Sequence, residues 1–108
     1  MIEVEYKGYI IKVGSSQDEN DMLVKTSNSN DYWAHADGYP SAHAIICNPT
    51  EKRINSKIVK RACCIIKSNC SKLKAIQNLP FCYTRIKNIS LTATPGKVIV
   101  GEHSSLTI

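Results

Sequence analysis

One long amphipathic helix is the feature that most constrains how this 108-residue chain can fold. Apolar residues recur at three- and four-residue spacing through the middle of the chain, as they do on the core-facing side of a helix. These residues are Ile54, Ile58, Ala62, Ile65, Ile66 and Leu73. Asn55 or Ser56 is predicted to cap the helix, which would run to about Leu73. A stripe of this kind has to be buried against another layer of secondary structure, so the remaining elements must supply that layer.

The rest of the chain predicts short strands and one short helix. A hairpin is predicted within residues 3–13, and Asp18 or Asn20 would cap a short helix that extends to about Ser27. The other predicted strands are residues 31–36, 42–47, 79–83, 86–91, 98–100 and 104–108. We therefore predict one domain, residues 1–108, of the α+β class. It would have a mostly antiparallel sheet, one long basic amphipathic helix and one short helix.

The only Trp and two of the three His residues lie together in residues 31–43. Strand alternation would place Trp33 and His35 on the same face of the sheet, and the following strand can bring His43 back towards them. Exposed Trp and His side chains are typical of sites that stack on bases or contact phosphates. Equally, Trp33 can fill a core, and each imidazole can be a satisfied, partly buried polar group. The sequence leaves both interpretations open.

The same segment, D-Y-W-A-H-A-D-G-Y-P-S-A-H, resembles the Trp-x-His-x-Asp then Ser-Ala-His signature of the NFACT-R domain family. Similar segments in family order lie on both sides of it, so the resemblance covers nearly the whole chain. They are Gly14 to Leu23, Arg61 to Asn69, Tyr83-Thr84 and Pro95 to Val98. The resemblance implies a domain associated with RNA, ribosomes and tRNA in ribosome quality control.

The form Ser41-Ala42-His43 resembles the stand-alone eukaryotic branch of that family, which includes coiled-coil-domain proteins. Two features depart from the family pattern. Ser15 and Ser16 stand where the family has an Arg-Asn pair, and the long charged coiled-coil tail of the eukaryotic members is absent.

Charge is divided unevenly along the chain. Residues 1–51 hold three lysines and eight acidic residues, a formal charge of −5, whereas residues 52–108 hold eleven Lys or Arg and one acidic residue, a charge of +10. No acidic residue lies between Lys52 and Gly101. The exposed face of the long helix and the surface around it should therefore be strongly positive, and polyanions are the natural partners of such a surface.

Several protein classes fit the sequence poorly. No run approaches the roughly 20 apolar residues of a membrane span, and the first residues lack the features of a signal peptide, so we expect a cytoplasmic location. Five Cys residues, an odd number without an export signal, predict reduced thiols. There is no Cys-x-x-Cys pair, and the Cys and His residues are not spaced as zinc ligands, so neither a metal nor a cofactor is expected.

We predict an RNA-binding, ribosome-associated monomer that occupies a tRNA site or an intersubunit site, in translation quality control or in ribosome hibernation. Its partners would be the ribosome, through rRNA and ribosomal proteins, or tRNA. The basic helix would contact phosphates, and the Trp and His side chains beside it would contact a base, a sugar hydroxyl or a phosphate. The candidate RNA-binding residues are Trp33, His35, Ser41, His43, Arg53, Lys57, Lys60, Arg61, Lys67, Lys74, Arg85 and Lys87.

Three alternatives stay open. The chain could bind DNA or nucleic acid in general, since phosphate contact alone does not distinguish the polymers. A small RNA-processing enzyme could use His35 and His43 as acid and base near Asp37, but no nucleophile or metal site supports this, and we expect no catalytic activity. An adaptor whose acidic first half docks on basic ribosomal proteins is compatible with the main prediction.

Overall fold

Eight strands and three helices follow one another along the chain, and the computed structural model describes residues 1–108. The strands are β1 (Ile2–Tyr6), β2 (Tyr9–Val13), β3 (Tyr32–Ala36), β4 (Ala44–Ile46), β5 (Pro80–Arg85), β6 (Ile89–Leu91), β7 (Val98–Val100) and β8 (Ser104–Thr107). The helices are α1 (Gln17–Thr26), α2 (Ser56–Ser68) and α3 (Ser71–Lys74). No helix is long and apolar enough to cross a membrane.

Six of the strands form one antiparallel sheet in the order β1-β2-β4-β3-β5-β8, while β6 and β7 pair separately. Strand alternation divides the side chains of β3 between two cores. Tyr32, Ala34 and Ala36 pack with α2 on one face of the sheet. Trp33 packs on the other face with α1 and the β6–β7 hairpin. The sheet is thus the middle layer of a three-layer domain, which confirms the predicted α+β class with a mostly antiparallel sheet.

The first hairpin is confirmed, but the predicted cap of α1 is wrong. Ser16 caps α1, and its hydroxyl accepts a hydrogen bond from the backbone N–H of Glu19 at 3.2 Å. The Glu19 carboxylate accepts in return from the backbone N–H of Ser15 at 2.8 Å, so the pair resembles a capping box. Asn20 is not available as a cap because its buried side chain accepts a hydrogen bond from the backbone of His43.

The long helix begins where the sequence predicts, at the Asn55 cap, but it ends at Ser68 rather than near Leu73. The side-chain amide of Asn69 donates to the backbone oxygen of Ile65 at 2.8 Å, an oxygen that also accepts from the Asn69 backbone N–H at 3.2 Å. Such local side-chain bonding competes with continuation of a helix. The short helix α3 then carries Leu73 into the same core, so all six residues of the predicted stripe are buried.

Strand boundaries shift by a few residues in the second half. The predicted strand at 86–91 is a 3₁₀ turn, Ile86–Asn88, followed by β6. The backbone N–H of Ile86 donates to the Asp31 carbonyl at 2.8 Å, which fixes this turn beside the start of β3. The last edge strand is confirmed as β8, which pairs with β5.

Gly14 packs against the Asn20 side chain that ties α1 to the sheet. A Cβ at this position would lie 2.1 Å from Asn20 Oδ1, the atom that accepts from the His43 backbone N–H at 3.2 Å. We expect Gly14→Ala to lower the free energy of unfolding by about 1–3 kcal/mol, because Asn20 has to move and a buried N–H loses its acceptor. Urea unfolding followed by circular dichroism measures this.

The matched control places the same change in an Asn20→Ala background. Asn20 Oδ1, the atom that a Cβ at position 14 would clash with, is absent there. Gly14→Ala should therefore lower the free energy of unfolding much less than it does in the wild-type protein. An equal cost in both backgrounds would show that the side chain of Asn20 is not the reason for the glycine.

Candidate nucleic-acid interface

None of the 14 Lys and Arg side chains forms a salt bridge. The only ion pair of the protein joins the N-terminal ammonium group to the Glu19 carboxylate at 3.3 Å. Surface cations are commonly interspersed with acids, which reduces the field that they produce. Here the positive charge of the second half of the chain is not neutralised by direct contact with a carboxylate, so it is available to an external anion.

The solvent-facing side of α2 carries one part of this charge. Lys57, Lys60 and Arg61 are exposed there, as the amphipathic pattern predicts. The Arg61 guanidinium lies 5.6 Å from the centroid of the Tyr6 ring, and Lys7 Nζ lies 5.8 Å from the same centroid. Two cations therefore share one aromatic ring at the β1 side of the helix.

Two other candidate lysines lie further along the same region and differ in exposure. Lys74 is exposed on α3. Lys67 is half-buried, and its ammonium group donates a hydrogen bond to the backbone oxygen of Ile108 at 2.8 Å. Lys67 therefore ties α2 to the end of the chain and is less available to an external anion than the other helix cations.

A groove of about 750 Å³ lies beside the N-terminal end of α2. We call it the basic groove, because Arg53, Arg85 and Lys87 line it together with the cap residue Asn55, against one acidic residue, Glu102. Its cations come from three separate parts of the chain: the segment before α2, the end of β5 and the 3₁₀ turn. The positive end of the α2 dipole adds to the attraction for an anion placed there, although the Lys57 N–H already donates to the Asn55 side chain at 2.8 Å.

Arg85 makes the most side-chain contacts among the cations of the basic groove. Its guanidinium donates to Asn30 Oδ1 at 2.7 Å and to the Glu51 backbone oxygen at 2.9 Å. It also lies 5.3 Å from the centroid of the Tyr32 ring. Because these contacts involve only neutral groups, they orient the charge without cancelling it.

Trp33, His35 and His43 form a compact group, which we call the Trp–His cluster. The rings of Trp33 and His35 are parallel, with centroids 5.7 Å apart, and His43 is perpendicular to both, at 5.5 Å from Trp33 and 4.9 Å from His35. Trp33 Nε1 donates a hydrogen bond to His43 Nδ1 at 3.1 Å. The spatial grouping predicted from strand alternation is thus present.

Burial decides what the cluster can contact. Trp33 is 1 % exposed and His43 is 2 % exposed, whereas His35 is only partly buried. Trp33 therefore fills a core and cannot stack on a base, which resolves the question that the sequence left open. His43 reaches the surface only where it lines a cavity.

Both imidazoles of the cluster favour the neutral form. Burial, followed by the nearby His35 ring, lowers the pKa of His43 to about 4, against the opposing effects of the Asp21 carboxylate and the Gly96 carbonyl. Burial also lowers the pKa of His35, although its hydrogen bond to the Ala36 carbonyl acts in the opposite direction. Neither ring adds positive charge to the protein at neutral pH.

The sequence predicted that the Trp–His cluster would lie beside the basic face of α2. This prediction is wrong. The cluster is on one face of the sheet, under α1 and the β6–β7 hairpin, and α2 is on the other. The sheet therefore separates the two regions, and a phosphate bound by the helix is not in reach of the histidines.

Ser41 has a structural position between the strands of the cluster. Its hydroxyl accepts from the backbone N–H of Ala36 at 3.1 Å and donates to the Ala42 carbonyl at 2.9 Å. These hydrogen bonds stabilise the loop that joins β3 to β4. The role of the Ser41 hydroxyl is therefore to fix the conformation of this loop.

Sequence reasoning missed some residues of the basic surface. Tyr6 and Lys7 join it because the β1–β2 hairpin lies next to the exposed side of Arg61, and His103 lines the basic groove beside β8. No local signal marks these residues, since each is brought in by pairing with distant parts of the chain.

Comparisons with known proteins agree with this architecture. The family model described as the NFACT protein RNA binding domain matches residues 2–104. A solved structure of the C-terminal part of a fibronectin/fibrinogen-binding protein from Streptococcus suis is similar, with a TM-score of 0.82 and 21 % identity, over 98 % of this chain and 43 % of that chain. At this identity the likeness concerns the fold, and the chain spans less than half the length of that structure. Comparison with the curated proteins finds no match.

Proposed function

Because the chain belongs to the NFACT RNA-binding domain family, we propose that it is a cytoplasmic, ribosome-associated RNA-binding factor that occupies a tRNA site or an intersubunit site. One observation carries this proposal: the cations exposed on α2 and those that line the basic groove are not paired with any carboxylate. Surfaces of this kind bind nucleic acid through its phosphates and release counterions as they do so.

The arrangement of the cations suits a folded RNA. Lys57, Lys60 and Arg61 project from one side of a rigid helix, and Arg53 and Lys87 continue the charge into the basic groove. Such contacts position a protein on a phosphate backbone and carry little sequence information. Recognition would then depend on the shape of the RNA, which is typical of structured RNA.

The proposed role is occupancy of a site, which needs binding surfaces and no catalytic machinery. The charge division supports contact with more than one component. The exposed Glu3 and Glu5 of β1 offer an acidic edge to basic ribosomal proteins, while the second half of the chain faces rRNA. Quality control and hibernation are the two settings in which such occupancy is useful.

The test is cosedimentation of the protein with purified ribosomes over a series of salt concentrations. The Arg53→Glu, Lys87→Glu double variant should bind at least tenfold more weakly and depend less steeply on salt, because phosphate contacts are lost. The matched control is Lys12→Glu, Lys25→Glu, which makes the same change in net charge away from α2 and should bind within about threefold of wild type.

Duplex DNA and structured RNA added as competitors test the alternative. Saturable binding that survives moderate salt and resists DNA supports a ribosomal factor. Equal loss of binding in both double variants, or equal competition by any nucleic acid, would contradict the proposal and favour a general polyanion binder.

A further inference from the structure

Arg85 differs from the other cations of the basic groove because the fold fixes its guanidinium. Its Nη1 atom donates to Asn30 Oδ1 and to the Glu51 carbonyl, and these two bonds use both hydrogens of that nitrogen. The face of the guanidinium lies against the Tyr32 ring, 5.3 Å from its centroid. The side chains of Arg53 and Lys87, by contrast, are exposed. One cation of the groove is therefore held in a single orientation.

A buried asparagine holds both acceptors of this guanidinium in place. The side-chain amide of Asn48, which is 2 % exposed, donates to the Asn30 carbonyl at 3.1 Å and to the Lys52 carbonyl at 2.7 Å. The Asn48 backbone N–H donates to the buried Asp31 carboxylate at 2.8 Å. Glu51, next to Lys52, has a φ of 62°, a conformation that persists in a residue other than glycine when the surrounding structure imposes it. The two acceptors are thus fixed by a hydrogen-bond network of their own.

The other edge of the guanidinium is free. An arginine side chain has five N–H donors, and the ones on Nε and Nη2 make no hydrogen bond within the chain. Neither nitrogen is enclosed, because no buried side-chain nitrogen lacks a partner. Arg85 lines the basic groove, whereas Asn30 and Glu51 do not. The edge formed by Nε and Nη2 faces away from these two acceptors and is therefore the edge presented to the groove.

We propose that this edge of Arg85 binds one phosphate of the RNA backbone, with Nε–H and Nη2–H donating in parallel to two phosphate oxygens. The inference rests on the proposed function, that the groove binds RNA. Paired N–H groups of this kind match phosphate and carboxylate oxygens and also the O6 and N7 atoms of guanine. The groove favours phosphate over a neutral base, because Arg53 and Lys87 line it as well. Arg85 then sets the position of the phosphate, and the two exposed cations contribute mainly charge.

The first test observes the arginine Nε–H signals of the full chain by two-dimensional ¹⁵N NMR. The chain has three arginines, Arg53, Arg61 and Arg85, so an Arg→Lys variant of each assigns its signal. A short oligouridine RNA, which has phosphates but no guanine, should shift the Arg85 signal saturably and more than the Arg53 signal. Guanosine and a glutamate peptide of the same length as the RNA should not produce this shift.

Cosedimentation with ribosomes measures what the paired donors contribute. Arg85→Lys keeps the charge but removes the parallel N–H groups, and it should weaken binding about tenfold. The matched control is Arg53→Lys, which makes the same change at an exposed cation and should bind within about threefold of wild type. Circular dichroism establishes that each variant is folded.

A second variant leaves Arg85 itself unchanged. Asn30→Asp places a carboxylate on Nη1, which keeps the guanidinium ordered but cancels its charge, so ribosome binding should weaken roughly fivefold or more. Lys25→Gln makes the same change in net charge away from the groove and should bind within about twofold of wild type.

Three results would overturn the inference. They are an Arg85 signal that does not respond to the RNA, an equal shift with guanosine or with the glutamate peptide, and binding by folded Arg85→Lys within about twofold of wild type. The proposed function fails separately, if Arg53→Glu, Lys87→Glu binds ribosomes as well as the wild-type protein does. If that double variant loses binding while Arg85→Lys retains it, the groove binds RNA and only the assignment of Arg85 is wrong.

Discussion

Replacing Trp33 by alanine is expected to lower the free energy of unfolding by about 3–5 kcal/mol. The side chain is 1 % exposed and is the largest member of the core beneath α1 and the β6–β7 hairpin, where Leu23, Val24 and Ile45 surround it. The substitution also removes the hydrogen bond to His43 Nδ1. Since domains of this size are stable by only about 5–15 kcal/mol, the variant should be close to unfolding at room temperature. Urea denaturation followed by far-ultraviolet circular dichroism measures the change, because the variant contains no Trp.

Two controls identify the cause of that loss. Trp33→Phe keeps a large aromatic side chain and should retain much of the stability, losing mainly the indole hydrogen bond and some volume. Tyr39→Ala removes an aromatic side chain that is 39 % exposed and should cost less than about 1 kcal/mol. If Trp33→Ala cost no more than Tyr39→Ala, the burial of Trp33 would be contradicted.

Lowering the pH from 7 to 4 is expected to remove roughly 3 kcal/mol of stability through His43 alone. Its pKa is about 4 in the folded protein and 6.5 in the unfolded chain. Between these values the unfolded state binds the proton more readily. The contribution of His43 to the free energy of unfolding is therefore fully present above about pH 6.5. It falls as the pH decreases, and little more of it is lost below about pH 4. The lowered pKa of His35 acts in the same direction.

Unfolding by urea at a series of pH values, in buffers of equal ionic strength, measures this dependence. His43→Gln supplies an acceptor for the Trp33 indole but does not titrate, so its stability should start lower at pH 7 and decline less towards pH 4. If the variant lost as much stability as the wild-type protein over this interval, the acid sensitivity would belong to other groups.

Local patterns predicted the elements whose geometry is local. The β1–β2 hairpin turns at Lys7-Gly8, where both residues have positive φ, as a two-residue turn of type I′ requires. The members of the stripe within α2, Ile58, Ala62, Ile65 and Ile66, are buried because helical periodicity selects one face. The S-x-x-E pattern of Ser16 and Glu19 also marks the start of α1, although Asp18 or Asn20 was predicted as the cap.

Helix boundaries depended on contacts that no local pattern contains. Asn20 belongs to a residue type that often caps helices. Its side chain instead accepts a hydrogen bond from the backbone N–H of His43 in the sheet. Asn69 ends α2 because its side-chain amide donates to the Ile65 carbonyl. Leu73 is still buried because a second helix, α3, begins two residues later. In both cases an amide side chain had two possible partners, and the packed structure selected one of them.

The sequence alone was sufficient for the class of the fold, the basic character of α2 and the grouping of Trp33 with His35, because periodicity and charge are read directly along the chain. It could not decide which face of the sheet each group would occupy. Trp33 is buried because α1 and the β6–β7 hairpin cover it, and the basic groove exists because the fold brings Arg53, Arg85 and Lys87 from separate segments to one place. Both depend on pairing between distant segments, which is settled only when the layers pack together.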